Sequence, residues 1–105
     1  MMIPTKTIYL VQGVTGWTPG GVRAWVVGWC ETYAKAESIV AGLNAMVYRA
    51  DAEWNAESRR VHGMPSQVFC DELRKRCREV DPQFETDRTT TYEVVEATRL
   101  VTKEG

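Results

Sequence analysis

The longest periodic stretch of the chain runs from Thr32 to about Arg60. Apolar residues recur there every three or four positions, which gathers them into one stripe along a helix. The stripe consists of Ala36, Ile39, Val40, Leu43, Val47, Ala50 and Trp54. This pattern predicts a helix of about 28 residues, or about 42 Å, with Thr32 as its N-cap and its end near His62. Such a helix is longer than a small sheet needs, so its far end should project.

Two strands are predicted before this helix. Thr7 to Val11 and Val22 to Cys30 are rich in β-branched and aromatic residues, the composition typical of strands. Between them, Gly13 to Gly21 contains four glycines and a proline, which predicts a hairpin loop.

Alternation along the second strand places Trp25, Val27 and Trp29 on one face. Ala24, Val26 and Gly28 would occupy the other face. Because both faces are apolar, we expect the strand to be covered on each side, and a partner chain could supply the second covering.

A second helix is predicted after Pro65, whose missing amide proton suits a first helical turn. Its apolar side would consist of Phe69, Cys70, Leu73, Cys77 and Val80. Asp81-Pro82 should end this helix. Gln83 to Arg88 is polar and predicts a loop, and Thr89 to Thr102 has the composition of a last strand.

The order β-β-α-α-β predicts an α+β fold with two layers. A three-stranded antiparallel sheet would be covered on one face by the long helix and the shorter helix. The length of 105 residues suits one core, so residues 1–105 are expected to form a single domain. The two open edges of such a sheet favour pairing with another copy or with another protein.

Charge, hydropathy and cysteine content argue against several classes of protein. Thirteen basic and 14 acidic residues give a net charge of -1, which argues against a protein that coats phosphate backbones. No apolar run reaches the roughly 20 residues that span a bilayer, and the start of the chain lacks a secretory signal pattern. Three cysteines fit no disulfide framework. We therefore expect a cytoplasmic protein with no membrane partner.

The soft metal ligands do not form a convincing zinc motif. They are Cys30, His62, Cys70 and Cys77, and they lack the close pairs that zinc modules use. Buried cysteines on a core face are the favoured interpretation. A small enzyme or metal protein centred on His62 and Cys70, which flank one turn, stays as an alternative.

The acidic residues of the long helix give no catalytic pair. Asp51, Glu53 and Glu57 lie on its flank, where solvated charge is the ordinary interpretation. The segment VTGWTPGG lacks the lysine of a phosphate-binding loop and joins two strands. We predict no catalytic residue, no metal ligand and no cofactor.

Basic residues could converge where the two helices meet. They are Arg59, Arg60, His62, Arg74, Lys75, Arg76 and Arg78. Glu57, Asp71, Glu72 and Glu79 are interleaved with them, which favours a salt-bridged, solvated face. A nucleic-acid-associated protein that uses this helix junction is the second alternative.

Part of the chain resembles a widespread type of small phage and prophage accessory protein. The resemblance is carried by strand 22–30, by the helix that begins TYAKAESIVAGLN and by the late segment YEVVEATRL. In that type a β-hairpin leads into a Thr-capped, Ala- and Glu-rich helix, and a Tyr-Glu-Val strand closes the chain. The segment from Arg59 to Arg88 is not part of that pattern. The group includes anti-CRISPR and other anti-defence inhibitors that block a host complex stoichiometrically.

These observations favour a non-enzymatic interaction protein that binds and inhibits or regulates a host protein complex, with homodimerisation compatible. Four tryptophans in so short a chain support this prediction, because Trp is favoured at binding surfaces. Trp17, at the predicted hairpin tip, is the first candidate for an anchor. The predicted partner-binding residues are Trp17, Trp25, Trp29, Trp54, Arg74, Lys75, Arg76 and Arg78.

Overall fold

Three strands and two helices follow one another in the order β-β-α-α-β. The structure is a computed structural model that describes residues 5–16, 23–84 and 90–100. The elements are β1 (Thr5–Thr15), β2 (Arg23–Cys30), α1 (Tyr33–Val61), α2 (Gln67–Val80) and β3 (Thr90–Leu100). The strands form one antiparallel sheet in the order β2-β1-β3. The predicted α+β fold with a three-stranded antiparallel sheet is confirmed.

β1 continues beyond its predicted end at Val11 and includes Gly13. Gly13 lies opposite Trp25 on β2 and opposite Tyr92 on β3. A Cβ added to Gly13 would lie 2.7 Å from Trp25 Nε1, so this glycine makes room for a ring and does not begin a turn. The predicted hairpin loop therefore starts too early, and residues 17–22 lie outside the described part of the chain.

Both ends of α1 match their predictions. Thr32 is the N-cap, and its Oγ1 accepts a hydrogen bond of 3.3 Å from the Lys35 amide. His62 is the C-cap in the left-handed conformation, with φ 55° and ψ 41°, and its amide donates to the Ser58 carbonyl. Among the residues of the predicted stripe, Ile39 is exposed because it lies on the flank of the buried face.

α2 begins at Gln67, two residues after Pro65. Its N-cap is Ser66, whose Oγ accepts a hydrogen bond of 3.2 Å from the Phe69 amide. Leu73 and Cys77 are buried as predicted, whereas Val80 is exposed. The helix ends before Asp81, as expected from Asp81-Pro82.

Two hydrophobic clusters lie along α1. The first joins α1 to the sheet and contains Val11, Cys30, Ala36, Leu43 and Tyr92. The second joins the C-terminal half of α1 to α2 and contains Ala50, Leu73, Cys77 and Phe84. α2 therefore packs on the part of α1 that extends past the sheet, which accounts for the unusual length of α1.

Asn44 ties α1 to the backbone of β3. Its Oδ1 accepts from the Tyr92 amide at 2.9 Å, and its Nδ2 donates to the Tyr92 carbonyl at 3.0 Å. Along an antiparallel pair, the backbone groups of a residue point alternately toward the partner strand and away from it. The amide and carbonyl of Tyr92 point away from β1. Asn44 therefore bonds the free edge of the sheet, along β3, at this position.

Candidate functional site

A β-bulge in β2 separates two tryptophans that simple alternation would place together. Val11 pairs with Gly28 and Gln12 pairs with Val26, so Val27 has no residue opposite it on β1. One extra residue reverses the side-chain alternation along the rest of the strand. The prediction that Trp25, Val27 and Trp29 share one face is therefore wrong, and Trp25 and Trp29 lie on opposite faces.

Trp29 lies on the face of the sheet opposite α1. Its neighbour Cys30 belongs to the cluster under α1, so Trp29 points the other way. It is paired with Leu10 and is 48% exposed. Val26, opposite Gln12 on the same face, is 50% exposed.

The apolar residues between the Lys6 and Gln12 positions of this face are called the outer patch, and Val14 and Ala24 continue the same face beyond Gln12. The outer patch consists of Ile8, Leu10, Val26, Trp29, Val95 and Ala97, assigned from the pairing of the three strands. Ile8 is buried among its neighbours, whereas Leu10, Val95 and Ala97 are half-buried. Contiguous apolar surface with a polar rim is typical of interaction sites.

Polar pairs stand at both ends of the outer patch. At one end, Lys6 Nζ bonds Glu31 Oε1 at 3.0 Å, and this contact lowers the pKa of the Glu31 carboxyl. At the other end, Gln12 Nε2 donates to Glu93 Oε1 at 3.2 Å. The rim thus presents a lysine at one end and a carboxylate at each end.

Trp25 is a core residue. It is 6% exposed, its ring meets the Tyr92 ring edge to face at 6.4 Å, and its Nε1 donates to Asp81 Oδ2 at 2.9 Å. In this structure Trp25 therefore does not present its ring on the predicted partner-binding surface. The cause is the bulge, which leaves Trp25 on the α1 side of the sheet.

Asp81 is the buried polar centre of the domain, with 2% exposure. Its Oδ2 also accepts from the Tyr92 hydroxyl at 2.6 Å, and its Oδ1 accepts from the Gln83 amide at 3.1 Å. Burial, and then the bond to Asp81, raise the pKa of the Tyr92 hydroxyl. Sequence reasoning missed this centre. Buried Trp and Tyr donors require an acceptor, but nothing in the sequence selects Asp81 among 14 acidic residues.

The basic residues of α2 lie close to acidic groups or to a carbonyl. Arg74 Nη1 bonds Asp71 Oδ1 at 3.0 Å, and Arg76 Nη2 bonds Glu53 Oε2 at 3.2 Å. Arg78 Nε donates to the Phe84 carbonyl, and Lys75 is exposed. The salt-bridged arrangement expected for this face is confirmed for Arg74 and Arg76.

The arginine at the end of α1 is paired in the same way. Arg60 Nη2 bonds Glu57 Oε2 at 2.9 Å, and the contact lowers the pKa of the Glu57 carboxyl and raises that of Arg60. Asp51 accepts a hydrogen bond from Asn55 at 3.3 Å. These carboxylates hold neighbouring side chains along the helix flank.

Trp54 lies away from the outer patch. Trp54 is half-buried against the cluster between α1 and α2, whereas the outer patch lies on the face of the sheet opposite α1. Trp17 lies outside the described residues, so its role as an anchor stays a prediction.

The residues of the metal or nucleophile alternative are also spread out. Cys30 lies in the cluster under the sheet and Cys77 in the cluster between the helices. Burial raises the pKa of the Cys77 thiol, which disfavours its thiolate. Cys70 is half-buried and His62 is exposed at the end of α1. Within residues 5–16, 23–84 and 90–100, no group of three or more His, Cys, Asp and Glu side chains could hold a metal ion.

An open groove of about 440 Å³ runs between α1 and α2. Met46, Ala50, Leu73, Cys77 and Val80 form its apolar floor and wall. Arg49, Glu53 and Arg76 line its rim. The groove lies on the helical side of the domain, away from the outer patch.

Comparison with protein-family models, with curated proteins and with solved structures gives no match to this chain. In the described part of the chain, neither helix combines the length and the apolar character needed to cross a membrane.

Proposed function

We propose that this protein is a non-enzymatic interaction protein that binds a partner protein through the outer patch. The observation that carries the proposal is the half-exposed position of Trp29 on the face of the sheet opposite α1, where the bulge at Val27 separates it from the buried Trp25. Trp at the centre of an interface supplies a large contact area at low conformational cost.

The chemistry of the outer patch favours a protein partner over a nucleic-acid partner. Its centre is apolar, and the described side chains of its rim include the carboxylates of Glu31 and Glu93 as well as Lys6. A phosphate backbone needs a surplus of unpaired cations, and Arg74 and Arg76 of the helix junction contact carboxylates instead.

The partner that we propose is a host protein complex, which the chain inhibits or regulates by occupying one of its surfaces. This part of the proposal rests on the resemblance to small phage accessory proteins of the anti-CRISPR and anti-defence kind. A stoichiometric inhibitor needs a rigid surface and no catalytic group, and it would act in the host cytoplasm.

Capture of the partner from host lysate with matched variants tests this proposal. The tagged chain is used beside Trp29→Ala and Tyr48→Ala, at low and at high salt. Tyr48 is 77% exposed on α1, so its variant controls for loss of an exposed aromatic ring outside the patch. The captured protein is then purified and titrated against all three chains by calorimetry.

We expect a stoichiometric complex that survives high salt, with Kd raised about 30-fold or more by Trp29→Ala and unchanged by Tyr48→Ala. Unchanged binding by Trp29→Ala would overturn the proposal. Capture of nucleic acid that washes off with salt would instead support the nucleic-acid alternative.

A further inference from the structure

We propose that, in the absence of another partner, the outer patch of one copy packs against the outer patch of a second copy about a two-fold axis. This inference rests on the proposed function, because both use the same patch. The dimer would be the resting form, and a partner protein would compete with the second copy for Trp29.

The size of the face suits such a contact. The three strands contain 11, 8 and 11 residues, and at about 3.4 Å per residue and 4.8 Å between strands the whole face, with its polar ends, covers roughly 500 Å² in projection. Two such faces bury roughly 1,000 Å² in total, the lower limit for a specific interface. Because an interface at this limit is weak or transient, we expect a dimer with a Kd of roughly 10 to 100 µM.

The arrangement of side chains along β1 is compatible with two-fold symmetry. Polar pairs occur at Lys6 and at Gln12, and the apolar positions Ile8 and Leu10 lie between them. A two-fold axis across the strands, midway between Ile8 and Leu10, places Lys6 of one copy over Gln12 of the other. Lys6 then lies beside Glu93 of the second copy, which gives opposite charges at each end of the contact.

The same axis brings the two Trp29 rings together. Trp29 pairs with Leu10, so it lies about one residue, or roughly 3.4 Å along the strand, from the axis. The two rings therefore meet close to the axis, on the β2 side of the contact, where an aromatic pair adds to the binding energy.

Pairing through the β3 edge is a less suitable route to the same dimer. The backbone groups of Tyr92 that point away from β1 are bonded to Asn44. A strand added along β3 would have to displace that side chain. The face of the sheet carries Val26 and Trp29 at about half exposure.

Sedimentation equilibrium of the full chain, from about 1 µM to 1 mM, tests the dimer across the expected range. Trp29→Ser should raise the dimer Kd roughly 30-fold or more, and the matched variant Tyr48→Ser should leave it unchanged. Circular dichroism verifies that each variant is folded.

Glu93→Lys provides a second test that leaves the apolar residues in place. It sets a lysine beside Lys6 of the second copy, so we expect a Kd raised roughly tenfold at low salt, with less effect at high salt. A monomer at all concentrations, or a dimer that neither Trp29→Ser nor Glu93→Lys weakens, would overturn the inference.

The two proposals fail differently. If the chain is monomeric while Trp29→Ala still loses the captured partner, the dimer is wrong and the proposed function stands. If Trp29→Ala keeps the partner, the proposed function is wrong whatever the oligomeric state.

Discussion

The Tyr92 hydroxyl donates a hydrogen bond of 2.6 Å to Oδ2 of Asp81. Tyr92 lies in β3, and Asp81 is the residue on which α2 ends. Trp25 of β2 donates to the same oxygen at 2.9 Å. One buried carboxylate therefore connects two strands of the sheet to the second helix, and with it the two hydrophobic clusters.

Replacement of Asp81 by Ala should destabilise the domain by about 2 to 4 kcal/mol, because two buried donors would lose their acceptor. Urea denaturation followed by circular dichroism measures this loss. Asp71→Ala is the matched control, since Asp71 is exposed and forms a surface pair with Arg74. Asp71→Ala should lower the free energy of unfolding by less than about 1 kcal/mol. An equal loss of stability in both variants would contradict the role of Asp81.

The raised pKa of Tyr92 predicts a loss of stability in alkaline solution. The hydroxyl has an ordinary pKa of 10.0, and in the folded protein burial and Asp81 keep it protonated above that pH. The contribution of the Tyr92 hydroxyl to the free energy of unfolding is complete below pH 10. Above pH 10 it falls by about 1.4 kcal/mol per pH unit, because the hydroxyl loses its proton in the unfolded chain and keeps it in the folded protein. Urea unfolding at pH 8 to 11 measures this slope. The Tyr92→Phe variant should lack this part of the slope, and an unchanged slope would show that other groups cause it.

The close approach of Gly13 to Trp25 predicts a strong effect of a single methyl group. Gly13→Ala should lower the free energy of unfolding by about 1 to 3 kcal/mol, because the added Cβ would overlap the indole ring of Trp25. Gly42→Ala is the control, since Gly42 lies inside α1 with no neighbouring atom within 4 Å of the added Cβ. It should stabilise by about 0.5 to 1 kcal/mol. Effects of the same sign at both sites, in thermal unfolding, would contradict this packing.

His62 is the one non-glycine residue of the described chain with positive φ. A left-handed conformation costs an L-residue about 1 to 2 kcal/mol, a cost that glycine avoids. His62→Gly should therefore raise stability by up to about 1 kcal/mol, whereas His62→Ala should give no such gain. Differential scanning calorimetry of both variants distinguishes them. Equal melting temperatures for the two variants would be inconsistent with strain at this cap.

The fold was predictable because the sequence patterns that specify its helices and strands are local. The three-and-four spacing along α1, the Thr32 cap and the Asp81-Pro82 stop each act within a few residues. The strand composition of β1 and β2 was enough to give the antiparallel pair. The start of α2 moved to Gln67, and β1 continued past Val11 because Gly13 serves a tertiary contact and not a turn.

The candidate site was only partly predictable, because it depends on register. Trp29 was named from its residue type alone. Its separation from Trp25 follows from one unpaired residue, Val27, and a bulge cannot be read from the alternation that it interrupts. The Asp81 centre depends on contacts between β2, β3 and the end of α2, which no local pattern encodes.

Hydroxyl-radical footprinting of the chain, free and bound to its captured partner, tests the central claim most directly. In the free protein, at a concentration too low for dimerisation, Trp29 and Tyr48 should be oxidised readily and Trp25 should be protected. On binding, we predict that Trp29 becomes protected and that Tyr48 keeps its reactivity. Unchanged oxidation of Trp29 in a saturated complex would contradict the assignment of the outer patch as the binding surface.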